Sequence, residues 1–190
     1  MGSGDFVRLN CEPETLDALA SGLTHYAPLG SQPDWLVSGI WLWTALARYI
    51  VTATVEVLPD GFVARGLSIC RPEELTKRLE AELPDVAARL TARGNGMTLP
   101  RAETPSPPDH LNPWPTAHYD MQVLVRTTSR ASGMNRVACG LLFTIREGRS
   151  LLVGSDPSSL ALVLSEDQEL IDRYRSECDA LTSADYIARG

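Results

Sequence analysis

Residues 49–70 read YIVTATVEVLPDGFVARGLSIC, and this stretch decides the fold. Tyr49, Val51, Ala53, Val55 and Val57 take every second position, the period of a strand with two unlike faces. Pro59-Asp60-Gly61 follows. Proline presets φ there and glycine accepts a left-handed conformation, so the chain turns back on itself. Pairing Leu58 with Phe62 across the turn sets Val55 opposite Arg65, Ala53 opposite Leu67 and Val51 opposite Ile69. This antiparallel register drops Arg65 into an apolar row. A buried guanidinium costs on the order of several kcal/mol unless paired. Arg65 is therefore expected to meet a carboxylate or to lay its stem along the sheet and hold its head at the rim. It is also the candidate anchor for an anionic ligand.

On the N-terminal side, Pro13 with Glu12 and Glu14 suits the start of a helix. Leu16, Leu19, Ala20 and Leu23 give that helix one apolar face. Residues 24–33, with Pro28, Gly30 and Pro33, read as a loop. From Pro33-Asp34 a second helix is expected. Leu36, Ile40, Trp43, Ala47 and Ile50 recur at 4-3-4-3 spacing, and Trp35, Trp41, Leu42 and Leu46 fill its other faces. A helix apolar all round is buried by its own core or by a partner. Three tryptophans close together match interface composition, so Trp35, Trp41 and Trp43 are candidate partner contacts. The apolar run from Trp35 to Ala47 is too short to span a bilayer. With a polar N-terminus lacking an apolar leader, the expectation is a cytoplasmic protein with no membrane contact.

On the C-terminal side, Pro72-Glu73-Glu74 opens a helix with Leu75, Leu79 and Leu83 in line, interrupted at Pro84. A shorter helix through Val86 and Leu90 ends at Gly94. Residues 94–117 shift in composition. Six prolines lie between Pro100 and Pro115, which reads as an extended loop laid over the domain. This segment carries His110 and Trp114, and His118 follows it. Trp114 joins the candidate partner contacts, and the two histidines are candidate acid–base groups.

The remainder reads as strands. Met121, Val123 and Val125 alternate, a polar loop covers 129–135, and Val137–Ile145 forms a second strand. Glu147-Gly148 turns into Leu151–Gly154. Leu160, Leu162 and Leu164 form either a fourth strand or a helix begun at Asp156-Pro157. A last helix is capped by Ser165 with Gln168, and buries Leu170, Ile171, Tyr174, Cys178 and Leu181. The predicted class is α+β: one antiparallel sheet of five to six strands with helices packed on one face, in a single domain over 1–190.

A net charge of −7 disfavours binding to nucleic acid. Arg126, Arg130, Arg136, Arg146 and Arg149 do form a locally basic stretch, but on strands they divide between two faces. Cys11, Cys70, Cys139 and Cys178 are too far apart for a zinc knuckle or a thioredoxin-type pair, and read as small buried residues. Cys70 alone, ahead of a helix N-terminus, is a candidate reactive thiol. His110 and His118, flanking Asp109 and Asp120, lack the fixed spacing of metal ligands. No nucleophile elbow, phosphate loop, dinucleotide fingerprint or zinc-protease motif occurs. No cofactor and no metal are expected.

The reading that results is a non-enzymatic protein-binding module, of an immunity-, chaperone- or adaptor-like kind. Its partner is a protein, basic to suit the acidic chain, and self-association is compatible with it. The alternative is an enzyme or small-ligand binder with a site between the Pro-rich loop and the sheet, using Arg65, His110 and His118.

Overall fold

A computed structural model describes residues 6–29, 36–82, 112–114, 118–130, 133–145 and 148–188. The hairpin forms as its sequence dictates. Strand β5 (Arg48–Val57) pairs antiparallel with β6 (Val63–Cys70), with Val55 opposite Arg65, Ala53 opposite Leu67 and Val51 opposite Ile69. Leu58 N–H donates to the Phe62 carbonyl at 2.9 Å, and Gly61 takes φ +77° in the turn.

In chain order around this hairpin come β1 (Phe6–Val7), α1 (Pro13–Gly22), β2 (Leu23–Leu29), β3 (Leu36–Val37) and β4 (Gly39–Thr44) before it. After it come α2 (Pro72–Glu82), β7 (Asn112–Pro113), β8 (Tyr119–Arg130), β9 (Gly133–Ile145), β10 (Ser150–Ser155) and β11 (Leu162–Ser165). The described chain finishes with α3 (Gln168–Ser176), β12 (Cys178–Thr182) and α4 (Ser183–Ala188). The class is α+β and mostly antiparallel. The strands, however, divide into two sheets where one of five to six strands was expected. One has five strands in the order β6-β5-β4-β2-β7. The other has seven, in the order β12-β8-β9-β10-β11-β3, with β1 parallel to β9 off that path.

The sheets share one core. Ile40, Leu42, Val51, Leu67 and Ile69 of the first meet Val123, Val125, Leu141, Phe143 and Val153 of the second, all at most 1% exposed. Leu16 and Leu19 of α1, Leu181 of β12 and Tyr186 of α4 complete it. A second apolar cluster lies elsewhere: Ile171 and Tyr174 of α3 pack with Leu124, Cys139, Leu142 and Leu152 of the seven-stranded sheet. The helices are thus spread over different clusters.

The helix expected from Pro33-Asp34 through Ile50 is a correction over its described residues, with Ile50 in β5. Within it, β3 and β4 are strands, and Thr44–Ala47 is a tight turn in which Thr44 N–H donates to the Ala47 carbonyl at 2.8 Å. The helical spacing was coincidental. Ile40 and Leu42 alternate with Trp41 and Trp43 because β4 is a central strand covered on both faces. Such a short all-apolar run carries no period of its own. Leu46, read as part of the helix surface, is 91% exposed in the turn. Residues 23–29 are also strand where a loop was expected. Pro28 faces Ile40 of β4, and among the described residues β7 meets β2 only at His25 and Tyr26.

Helix starts at Pro13 and Pro72 stand as read. The kink at Pro84 and the following helix lie outside the described residues. Strands β8 and β9 continue through most of the expected 129–135 loop, to Arg130 and Gly133. Of the two readings of 160–164, the strand holds, over Leu162–Ser165. The last helix is shorter than expected. Asp167 caps it by accepting from Leu170 N–H at 2.9 Å, and it ends at Ser176. Cys178 and Leu181 belong to β12, which pairs with the outer edge of β8.

Tyr174 fixes α3 against the sheet. Its hydroxyl lies 3.0 Å from the Cys139 carbonyl and 2.9 Å from the Ser155 carbonyl, sharing one proton between them. This approach needs glycine at 154, because a Cβ there would sit 2.6 Å from the hydroxyl oxygen. Gly154→Ala is expected to destabilise the protein by about 1–3 kcal/mol, the usual cost of overpacking. Urea unfolding would measure this, and an unchanged midpoint would contradict the packing described.

Candidate functional site

Arg65 sits in the row expected for it, but the partner differs. Its Nη1 donates to the Pro157 carbonyl at 2.6 Å, and its own carbonyl accepts from Ser155 Oγ at 2.8 Å. Arg65 thus ties β6 to the loop after β10 through an exposed carbonyl, where a carboxylate partner or a head held at the rim was expected. Beyond Arg65 the hairpin outruns the core. Val51, Leu67 and Ile69 face inward at its base, yet Val55, Val57 and Val63, continuing the same row, are 46%, 68% and 41% exposed. Towards the tip the opposite row packs instead: Ala64, with Leu58 beside it, meets Val7 and Val137. The tip is held in place, since Asp60 accepts from Phe62 N–H at 2.9 Å and from Asn135 Nδ2 at 3.2 Å.

Trp114 anchors the end of the Pro-rich segment. It is 2% exposed and so offers no surface to a partner. Its ring lies edge-on to Tyr26, Tyr119 and Phe143, with centroids 6.3–6.5 Å away, and the Trp114 backbone N–H donates to the Thr24 carbonyl at 2.7 Å. The Arg149 guanidinium lies 5.2 Å above the ring and grips Glu166 through two bonds of 2.7 Å. The Tyr26 hydroxyl donates to the same carboxylate. Arg149, more than Tyr26, holds the Glu166 carboxyl below its ordinary range, and burial opposes it.

Of the other expected site residues, Trp35 and His110 lie outside the described residues. His118 is exposed ahead of β8. Trp43 is buried on β4, and Trp41 beside it is half-buried under the Arg48 guanidinium at 4.9 Å. No described contact joins Arg65 to His118. Cys70, the candidate reactive thiol, is buried.

The sequence reading missed a cluster beneath α3. In the β8–β9 ladder Leu124 faces Gly140 and Val125 faces Ala138, so Cys139 is the extra residue of a β-bulge. Its Sγ lies 3.7 Å from Sγ of Cys178, which opens β12 opposite Arg126. The Arg126 guanidinium lies 5.2 Å from the Tyr174 ring centre and 3.8 Å from Glu177. Its Nε and Nη2 are buried with no hydrogen-bond acceptor. The bond from Cys178 pulls the Cys139 thiol down to about 7 against its burial, with the nearby Arg126 charge assisting. Cys178 is raised by the same bond and by its burial. The two sulfurs thus share one proton above neutral pH. Beside Arg126 and Tyr174 is a small cleft of about 100 Å3, lined also by Asp156, Val163, Arg173 and Glu177. No single motif signals this pair, because its members lie 39 positions apart.

Among the described residues, no group of three or more potential metal ligands comes together, and no helix is long and apolar enough to cross a membrane. Fold and clusters together define a two-sheet, mostly antiparallel α+β protein with an overhanging hairpin and a contacting thiol pair. No family model, curated protein or solved structure matches the chain.

The lowered Glu166 carboxyl links stability to pH. Its contribution is present above the ordinary carboxylate pKa and is lost as pH falls through the lower folded value. Glu166→Gln is expected to cost about 0.5–1 kcal/mol at neutral pH, discounted for a partly exposed pair. The gap to wild type should close on acidification. Urea titrations at neutral and acidic pH would measure it, and a pH-independent gap would argue against the ion pair.

Proposed function

We propose that this chain is a non-enzymatic protein-binding module, adaptor-, chaperone- or immunity-like, that engages its partner through the overhanging β5–β6 hairpin. One observation carries the reading: the apolar row of the hairpin continues beyond the core as exposed Val55, Val57 and Val63. Water contact with three neighbouring valines is unfavourable, and covering them returns about 25 cal/mol per Å2 of apolar surface removed from water. The tip is braced by Asp60, so little ordering is needed on binding. Glu56 is exposed between Val55 and Val57, and the whole chain is acidic. The partner proposed is therefore a protein offering an apolar segment flanked by basic residues. Val57→Asp combined with Val63→Lys replaces an exposed cross-strand pair with opposite charges and should leave the unfolding midpoint nearly unchanged. Affinity capture from native lysate should yield a stoichiometric protein with the wild type and lose it with the double variant. A partner retained equally by both would remove the hairpin from the account, and recovery of the bare chain would count against the reading itself.

A further inference from the structure

We propose that Cys139 and Cys178 are a peroxide-oxidisable pair that closes a reversible disulfide between β9 and β12. The sulfurs are already in contact at 3.7 Å, and a disulfide brings them to about 2.05 Å. The movement falls on the segment best able to make it. Cys178 is the first residue of β12, directly follows the end of α3, and lies on a strand that β8 holds along one edge in the sheet order. Cys139 is fixed, fully buried in its bulge, with its carbonyl bonded to Tyr174.

Access and activation are divided between the two thiols. Cys178 is half-buried where Cys139 is fully buried, so a small oxidant such as hydrogen peroxide meets Cys178 first. The proton that Cys178 holds in its bond to Cys139 passes to Cys139 as the Cys178 sulfur attacks a peroxide oxygen and the O–O bond breaks. The departing hydroxide takes the Cys139 proton and leaves as water, and Cys178 becomes a sulfenic acid. The Cys139 thiolate, beside the buried guanidinium of Arg126, then attacks the Cys178 sulfur. The S–S bond forms, and hydroxide leaves and takes a proton from solvent. In sum, two sulfurs are oxidised to a disulfide, one peroxide is reduced, and two waters form. An external dithiol reverses the bond by exchange. Cys11 does not compete, because burial, and then Glu12, raise its thiol to about 12.

The test exposes the intact chain to hydrogen peroxide, then denatures it in an alkylating agent and counts modified cysteines by mass. All four should be alkylated before treatment and two after it, with a Cys139–Cys178 peptide on mapping and four restored by dithiothreitol. Cys178→Ser should give no cross-link. Cys139→Ser should leave a sulfenic acid on Cys178 that dimedone traps. Four alkylated cysteines in treated wild type, a bridge involving Cys11 or Cys70, or a bridge between chains would each overturn the proposal. The wild-type count stands alone if either variant fails to fold.

Discussion

The fold rests on the complete burial of one strand. Residues Val137 to Phe143 of β9 are at most 4% exposed wherever they carry a hydrophobic side chain, so neither face nor edge can be left to water. Each backbone N–H and C=O in such a strand must find a protein partner, and each face needs an apolar cover. Strand β8 takes one edge of β9 and β10 the other, with β1 joining at its start. The five-stranded sheet covers the face bearing Leu141 and Phe143, and α3 covers the face bearing Cys139 and Leu142. The two sheets and helix α3 are the solution to that single requirement.

The same requirement sets where irregularities fall. Strand β9 belongs to the seven-stranded sheet and packs against the five-stranded one, and the bulge at Cys139 is where the β8–β9 ladder slips by a residue. The bulge turns a small thiol towards α3, beside Arg126, whose Nε and Nη2 have no hydrogen-bond acceptor among the described residues. Burial works against that cation, and the adjoining thiols, Tyr174 and Glu177 together outweigh it. At the opposite limit, the β5–β6 hairpin is longer than the core it covers, and its surplus apolar row reaches solvent. Geometry thus produces both features to which a function is attached.

Local chemistry was legible in the sequence, and long-range pairing was not. The hairpin register followed from alternation and Pro59-Asp60-Gly61, and the starts of α1 and α2 from Pro13 and Pro72. The Trp35–Ala47 stretch misled because a strand covered on both faces has no period, so accidental helical spacing filled the gap. Trp114 read as a surface residue because prolines surround it, yet its ring completes an aromatic cluster with Tyr26, Tyr119 and Phe143, from distant parts of the chain. Arg65 was recognisable as an oddity from register alone, but its carbonyl partner belongs to a loop 92 residues away. The thiol pair depends on a bulge and on a strand that read as helix, and neither has a local signature.

Native-state hydrogen exchange tests the organising role of β9 most directly. The account predicts that the amides of Ala138–Phe143 exchange slowest in the chain, at the rate of global unfolding, while those of the edge strand β12 open earlier. Exchange of the β9 amides as fast as those of β12, or faster than those of the five-stranded sheet, would contradict it.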